Sequence, residues 1–228
     1  MMLASDKPAD NSAAVAMDRM YGWQHSFYDL TRKPYLLGRD RLIAALAPPS
    51  GSAVLEIGCG TGRNLIAAAQ RWPDVSFYGY DVSSVMVDHA RRAVRRAGLE
   101  RRIALAQGDA CSFDPRHAFS APKFERIYFS YVLSMIPPWR EALDAAAGLL
   151  EPGASLHIAD FGDQSGLGSL QRALLNRWLA IFHVEPRLVL ATELENVASK
   201  RTLSIEIDQI YRGYAVVAAL RKPAVSFF

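Results

Sequence analysis

Val54-Leu55-Glu56-Ile57-Gly58-Cys59-Gly60-Thr61-Gly62 decides the fold of this chain. The apolar run at 54–58 reads as a strand, the glycines as a tight turn, and residues 64–71, closed by Pro73, as a helix. Glycines at such a junction let backbone N–H groups approach a ligand closely, with a helix N-terminus behind them. About 20 residues further on, Asp81 ends a second apolar run, Ser76-Phe77-Tyr78-Gly79-Tyr80, where an acidic side chain can take ribose hydroxyls. Gly108-Asp109-Ala110 closes a third run at 103–107. In an open parallel sheet, loops at the carboxyl ends of successive strands line one crevice.

Outward from this core the alternation continues. Ser83 is placed to N-cap a helix over 84–97, with Gly98 as the glycine just past its end. Residues 126–130 read as a fourth strand, 139–150 as a helix stopped by Pro152-Gly153, and 155–160 as a fifth strand. Strands alternating with helices predict an α/β, doubly wound, Rossmann-like and mostly parallel sheet. The tail differs, because runs at 203–211 and 214–220 flank Arg212-Gly213 and predict an antiparallel hairpin. A chain of 228 residues suits one domain, over 17–228, behind a disordered tail at 1–16. Within it, 17–46 is expected to form leading helices and 162–202 a helical insertion. In that insertion Leu167, Leu170, Leu174, Trp178, Ile181 and Phe182 recur at helical spacing. Such a face either packs on the sheet, or lines an apolar acceptor channel or touches a bilayer.

Bulk properties narrow the class. Two cysteines, Cys59 and Cys111, make no disulfide framework, so a reducing cytoplasm is expected. Residues 1–17 lack the apolar stretch of a secretory signal, and no window reaches the ~20 apolar residues of a membrane span. The net charge of +3 is mild, but Arg91, Arg92, Arg95, Arg96, Arg101 and Arg102 cluster on and just after one helix. They form either a solvated face favoured by the helix dipole or a patch for anionic lipid headgroups or nucleic acid. Nucleic acid is not the expected partner. His25, His89, His117, His157 and His183 share no metal-ligand spacing, so no metal site is expected, and His157 reads as a buried, hydrogen-bonded side chain.

Several single residues stand out. Glu56 is a costly carboxylate in an apolar strand, explained if it bonds the glycine turn or a cofactor amine. Arg39 offers a two-pronged contact for a carboxylate, or faces solvent. Tyr131 and Asp160 belong at the carboxyl edge of the sheet, where each either orients an acceptor or serves as a packing tyrosine and a capping aspartate. Against a nicotinamide or flavin site stands Arg63, which occupies the position of the third dinucleotide glycine.

From about residue 35 to 221 the chain resembles the class I methyltransferases that use S-adenosylmethionine. That resemblance implies cofactor contacts from Tyr28, Arg39, Glu56, Gly58, Cys59, Gly60, Asn64, Asp81, Val82, Asp109, Ala110 and Ser130, with Tyr131 and Asp160 at the reacting amine. Asp81 would hold the ribose, and Asp109 with Ala110 the adenine edge. A narrower resemblance lies in residues 28–43 (Tyr28-Asp29-Leu30-Thr31-Arg32-Lys33-Pro34-Tyr35-Leu36-Leu37-Gly38-Arg39 and onward). It continues in Cys59-Gly60-Thr61-Gly62-Arg63-Asn64, Leu133-Ser134-Met135-Ile136-Pro137, Asp160-Phe161-Gly162-Asp163-Gln164-Ser165-Gly166-Leu167 and Phe182-His183-Val184-Glu185-Pro186-Arg187. These segments are similar to the betaine-lipid N-methyltransferases, which convert the amine of diacylglyceryl-homoserine to its trimethyl form. Pro34 departs from that pattern, standing where a bulky residue is expected.

The resemblance implies a lipid or small-molecule amine acceptor and reversible contact with a membrane surface. It also implies a place in the cytoplasm at the inner membrane face and coupling to the enzyme that makes diacylglyceryl-homoserine. Phosphatidylethanolamine, a quinone ring and a small amine are the other acceptors, and a non-catalytic cofactor-binding partner protein is the other class.

Overall fold

The structure is a computed structural model that describes residues 36–121, 123–181 and 184–225. Seven strands form one sheet: β1 (Ala53–Ile57), β2 (Ser76–Asp81), β3 (Ile103–Gln107), β4 (Arg126–Ser130), β5 (Ser155–Phe161), β6 (Ser204–Ile210) and β7 (Ala215–Arg221). Their order across the sheet is β3-β2-β1-β4-β5-β7-β6. β1 to β5 are parallel and β7 is antiparallel to both β5 and β6. The direction of progress reverses at β1, which lies between β2 and β4. Such a reversal opens a crevice beyond the strand ends.

Alternating strand residues feed two cores, one on each face. On one face Leu55, Ile57, Ile127, Phe129, Leu156 and Ile158 pack against α5 (Trp139–Gly148) and α7 (Leu190–Arg201). On the other, Val54, Phe77, Tyr128, Ala159, Phe161 and Val217 meet α1 (Arg39–Leu46), α2 (Arg63–Arg71) and α6 (Ser169–Ile181). Covered on both sides, β5 is buried at every position. Each fully buried leucine or isoleucine contributes about 1.5–3 kcal/mol over an exposed one.

Helix ends follow local chemistry. α3 (Ser84–Arg96) starts where the Ser83 side chain accepts from the Met86 N–H at 3.3 Å. It ends with Gly98 left-handed at φ +68°, the Gly98 N–H donating to Arg95 O and the Leu99 N–H to Val94 O. α4 (Pro115–Phe119), which the sequence reading passed over, is one short turn capped by Asp114. The hairpin turn carries positive φ at Tyr211, Arg212 and Gly213, and the Tyr214 N–H donates back to Tyr211 O at 3.2 Å. Two positive central residues suit the right-handed twist of a hairpin. The loop after β5 locks onto this turn through Gly162, Gln164 and Gly166, whose N–H groups donate to Tyr214 O, Gly213 O and Arg212 O.

Three arginines of the cluster make contacts within the fold. Arg91 pairs with Asp88, Arg95 with Glu100, and Arg102 donates to Ala69 O and Trp72 O at the end of α2. His157 is buried and shares a 2.8 Å hydrogen bond with the Ser155 hydroxyl. The long insertion is less orthodox. α6 buries only Leu179 fully, while Leu170, Leu174 and Ile181 are exposed. No helix among the described residues is long and apolar enough to cross a membrane. Expectations about the tail at 1–16, the leading segment through Tyr35, Phe182 and His183 lie outside the described residues.

Candidate active site

A cavity of about 530 Å³ sits at the carboxyl ends of β1, β2, β3 and β4. Its floor is the glycine turn. Gly58 takes φ +70°, and a side chain there would strike Val132, whose Cγ2 lies 2.3 Å from the place of a Cβ. Only glycine suits both constraints. Gly58 and Cys59 each donate to Tyr80 O, which fixes the turn on β2. Gly60 also has positive φ but faces open space, so its backbone is presented to whatever fills the cavity. Gly62, one position before Arg63, performs the close helix packing expected of a third glycine: a Cβ there would sit 3.1 Å from Ala90 on α3.

Asp81 ends β2 and accepts from the Gly60 N–H at 2.8 Å and the Ser83 N–H at 3.0 Å. These bonds orient the carboxylate and leave acceptor capacity on both oxygens. Asp109 accepts from the Cys111 N–H at 2.8 Å, which shapes the loop after β3. Of the twelve expected cofactor residues, Arg39, Glu56, Gly58, Cys59, Gly60, Asn64, Asp81, Val82, Asp109, Ala110 and Ser130 all line this one cavity. Tyr28 lies outside the described residues.

Glu56 is the strongest electrostatic feature. It is buried on the α1–α2 face of β1, where Asn64 Nδ2 donates to its Oε1 at 2.9 Å. Tyr128 approaches the same carboxylate, but neither its hydroxyl nor Glu56 Oε2 makes a hydrogen bond of good geometry. Burial pushes the Glu56 carboxyl up to about 8, against the bonding from Asn64 and the charge of Arg39. Ser130 Oγ is likewise buried without a partner. A cationic group with several N–H donors would satisfy such acceptors. The amino group of S-adenosylmethionine is such a cation, Arg39 offers a partner for its carboxylate, and Asp81 an acceptor for ribose hydroxyls. The residues present therefore fit the cofactor that the resemblance implies.

The two expected acceptor-side residues behave differently from one another. Tyr131 lines the cavity in a left-handed conformation, φ +57°, held by its N–H donating to Ala159 O at 2.7 Å. Its hydroxyl donates to Leu37 O, so it clamps the segment before α1 rather than pointing a free hydroxyl at a ligand. Asp160 does not reach the cavity. It is fully buried, with one oxygen accepting from the Phe161 N–H at 2.8 Å and the other from the Ser134 N–H at 3.2 Å. This geometry is that of the capping alternative. Asp160 holds the 3-10 turn Leu133–Met135, which leads into Ile136, Pro137 and Pro138 of the cavity wall.

Other parts of this wall were not assigned to the site from the sequence, and Met135 and Ile136 entered only within a similar segment. Met86, Val132, Met135, Ile136 and Pro138 line it. For residues 132–138 the signal available was the uneven run after strand four, which has neither strand nor helix periodicity, and for Met86 its place in the first turn of α3. Arg187 was quoted only as part of a similar segment. It proves to be a clamp, donating to Leu133 O at 3.2 Å and Ile136 O at 2.9 Å from the far side. No cluster of metal-ligating side chains occurs among the described residues.

Comparison with known proteins agrees with this geometry. Residues 28–206 match the family described as a methyltransferase domain. The chain is 28% identical over 139 residues to trans-aconitate 2-methyltransferase of Methylobacterium radiotolerans, covering 61% of this chain and 49% of that enzyme. It thus spans about half the length of that curated relative. It is 29% identical over 161 residues to phosphatidylethanolamine N-methyltransferase of Cereibacter sphaeroides, covering 70% of this chain and 75% of the relative. The solved structure of the mitomycin 7-O-methyltransferase MmcR superposes with a TM-score of 0.71 at 16% identity, over 94% of this chain and 62% of that one. With the glycine turn, Glu56, Asp81 and Asp109 gathered at the switch point of a 3-2-1-4-5-7-6 sheet, the chain belongs to the class I S-adenosylmethionine-dependent methyltransferases.

Proposed function

We propose that the chain methylates the amine of a lipid in successive rounds, with diacylglyceryl-homoserine as acceptor and the trimethylated betaine lipid as product. One observation carries this reading. The cavity wall built by Leu36, Val132, Met135, Ile136 and Pro137 is apolar, and among the described residues no histidine lines the cavity. Its carboxylates, Glu56, Asp81 and Asp109, are those suited to the cofactor. A hydroxyl acceptor would need a base to take its proton. An α-amino group, with a reference pKa of about 8, supplies its own neutral fraction near pH 7. Support also comes from the relative whose name states methylation of a lipid amine, phosphatidylethanolamine.

Bound S-adenosylmethionine supplies an electrophilic methyl group on a sulfonium. The residues of the chain then have three tasks. Glu56, Asp81 and the glycine turn fix the cofactor, Arg39 takes its carboxylate, and the apolar wall excludes water from the line of attack. Alignment of this kind can supply much of the barrier reduction in an in-line displacement. The amine lone pair forms the new N–C bond as the S–C bond breaks, and S-adenosylhomocysteine leaves. The ammonium product gives a proton to solvent before the next round, and after the third methyl it has none to give.

An initial-rate assay with labelled S-adenosylmethionine tests the reading. Diacylglyceryl-homoserine, phosphatidylethanolamine, a water-soluble amine and a demethylated quinol are supplied separately in detergent micelles. The expected result is the largest kcat/KM with diacylglyceryl-homoserine. Preference for phosphatidylethanolamine would keep a lipid amine but change the headgroup, and preference for the quinol or the soluble amine would overturn the proposal.

A further inference from the structure

The face of α6 that points to solvent carries large apolar side chains. Leu170, Leu174 and Ile181 are 72%, 61% and 66% exposed, while Leu179, about half a turn round the helix from them, is completely buried. A lone exposed leucine needs no explanation, but three on one stripe of a single helix do. The charge pattern of the helix points to an occupant. Its thirteen residues include Arg172 and Arg177 and no acidic side chain. At 100° per residue Arg177 falls within 60° of the three apolar positions, where a long stem can lie along the stripe and lift its guanidinium to a phosphate.

The helix is also tied to the cavity. Its inner side, Leu175, Trp178 and Leu179, packs in one core with Leu36 and Tyr131 of the cavity wall. Just beyond it, the Glu185 N–H donates to Ser134 O at 3.0 Å, and Arg187 grips the same rim. We infer that α6 docks on a bilayer carrying anionic headgroups, with Leu170, Leu174 and Ile181 among the acyl chains and Arg177 at the phosphates. This inference deepens the lipid-amine reading, because a helix seated on the bilayer beside the rim brings the rim to the headgroup. Exposed leucines with a basic residue among them and no acid are the composition of an interfacial helix.

Co-sedimentation of the full chain with vesicles tests the docking without any acceptor lipid, so it stands or falls separately from the substrate assignment. Vesicles are phosphatidylcholine with or without phosphatidylglycerol. The chain should sediment with the mixed vesicles and be released by salt. Leu174→Glu should weaken this binding by roughly tenfold or more. Arg177→Gln should weaken it by roughly fivefold on the anionic vesicles alone, whereas Arg172→Gln, on the opposite side of the helix, should leave it unchanged. Val225→Glu, at an equally exposed apolar position elsewhere, should leave it unchanged.

Equal binding by all variants, or no binding by the parent chain, overturns the inference. Two further outcomes also overturn it. A dimer in sedimentation velocity that Leu174→Glu disperses would mean that the stripe meets a second copy. A loss of thermal stability and cofactor affinity in monomeric Leu174→Glu would mean that another part of the same chain covers it. In the assay, Leu174→Glu should lower turnover of the acceptor lipid in vesicles and spare it in micelles.

Discussion

The carboxyl edge of β1 to β4 and the helix α6 are built from similar apolar residues and put them to opposite uses. At the sheet edge Leu55, Ile57, Ile127 and Phe129 are sealed, and the few polar groups among them, Glu56 and Ser130, are buried in the cavity wall with oxygens left unpaired. On α6 Leu170, Leu174 and Ile181 face outward with Arg177 among them, while Leu179 is buried. The difference teaches that residue type does not settle burial. At the edge, paired strands and two layers of helices enclose each apolar side chain, so a polar atom there is costly and marks a site. On α6 only one side has a neighbour.

The sharpest way to break the comparison lies within α6 itself. Leu179→Ala should destabilise the protein by about 2–5 kcal/mol, as a fully buried leucine whose loss leaves a cavity. Thermal or denaturant unfolding measures it, and a loss below about 1 kcal/mol would mean that the helix is not seated on the core as described.

The next effect belongs to the sheet edge. Asp81→Ala should weaken S-adenosylmethionine by roughly ten- to a hundredfold in calorimetric titration, the range for hydrogen bonds to a charged group. Part of this loss comes from freeing the Gly60 and Ser83 N–H groups. Asp81→Asn keeps one acceptor oxygen and should fall between the two. Unchanged affinity in a folded Asp81→Ala protein would remove the ribose assignment.

Glu56 supplies a pH dependence with a definite sign. Its carboxyl titrates near 4.5 when unperturbed and at about 8 in the folded protein, because of burial. Between those values the unfolded chain has lost the proton that the folded chain keeps. Glu56 therefore withdraws stability as pH rises across that window. Cofactor binding runs the other way. A cationic amine favours the ionised carboxylate, so affinity should climb by up to roughly tenfold per pH unit below pH 8, with a proton released on binding. Glu56→Gln should flatten that profile, and a slope that persists would place the proton elsewhere.

The smallest effect completes the set. Leu174→Ala should change stability by less than about 0.5 kcal/mol, since an exposed side chain loses little on truncation. A large loss would show that the stripe is covered in the folded chain.

Much of this was legible in the sequence wherever pattern and partner coincide. Strand runs ending in Gly58, Asp81 and Gly108-Asp109 announce both the sheet and the cavity, because the loops that end parallel strands must share one edge. Ser83 and Gly98 cap α3 as their chemistry requires. Asp160 was legible as a strand-end carboxylate but not in its direction. Whether such a group faces the cavity or the neighbouring turn depends on the path of residues 133–138, which no periodicity reveals. Tyr131 reaches the cavity, yet its hydroxyl is taken by Leu37, a partner 94 positions away. For α6 the helical spacing was visible, while its outward direction was not. An amphipathic pattern states that one face is apolar and leaves open what meets it.

Lipid mass spectrometry reads the proposed methyl transfer to a lipid amine without an intermediary. The purified chain is incubated with S-adenosylmethionine and vesicles holding phosphatidylglycerol, phosphatidylethanolamine and diacylglyceryl-homoserine together. Mono-, di- and trimethylated diacylglyceryl-homoserine should appear in turn, with phosphatidylethanolamine unmodified. Cofactor binding without methylation of either lipid, alongside efficient methylation of a water-soluble acceptor, would contradict the claim.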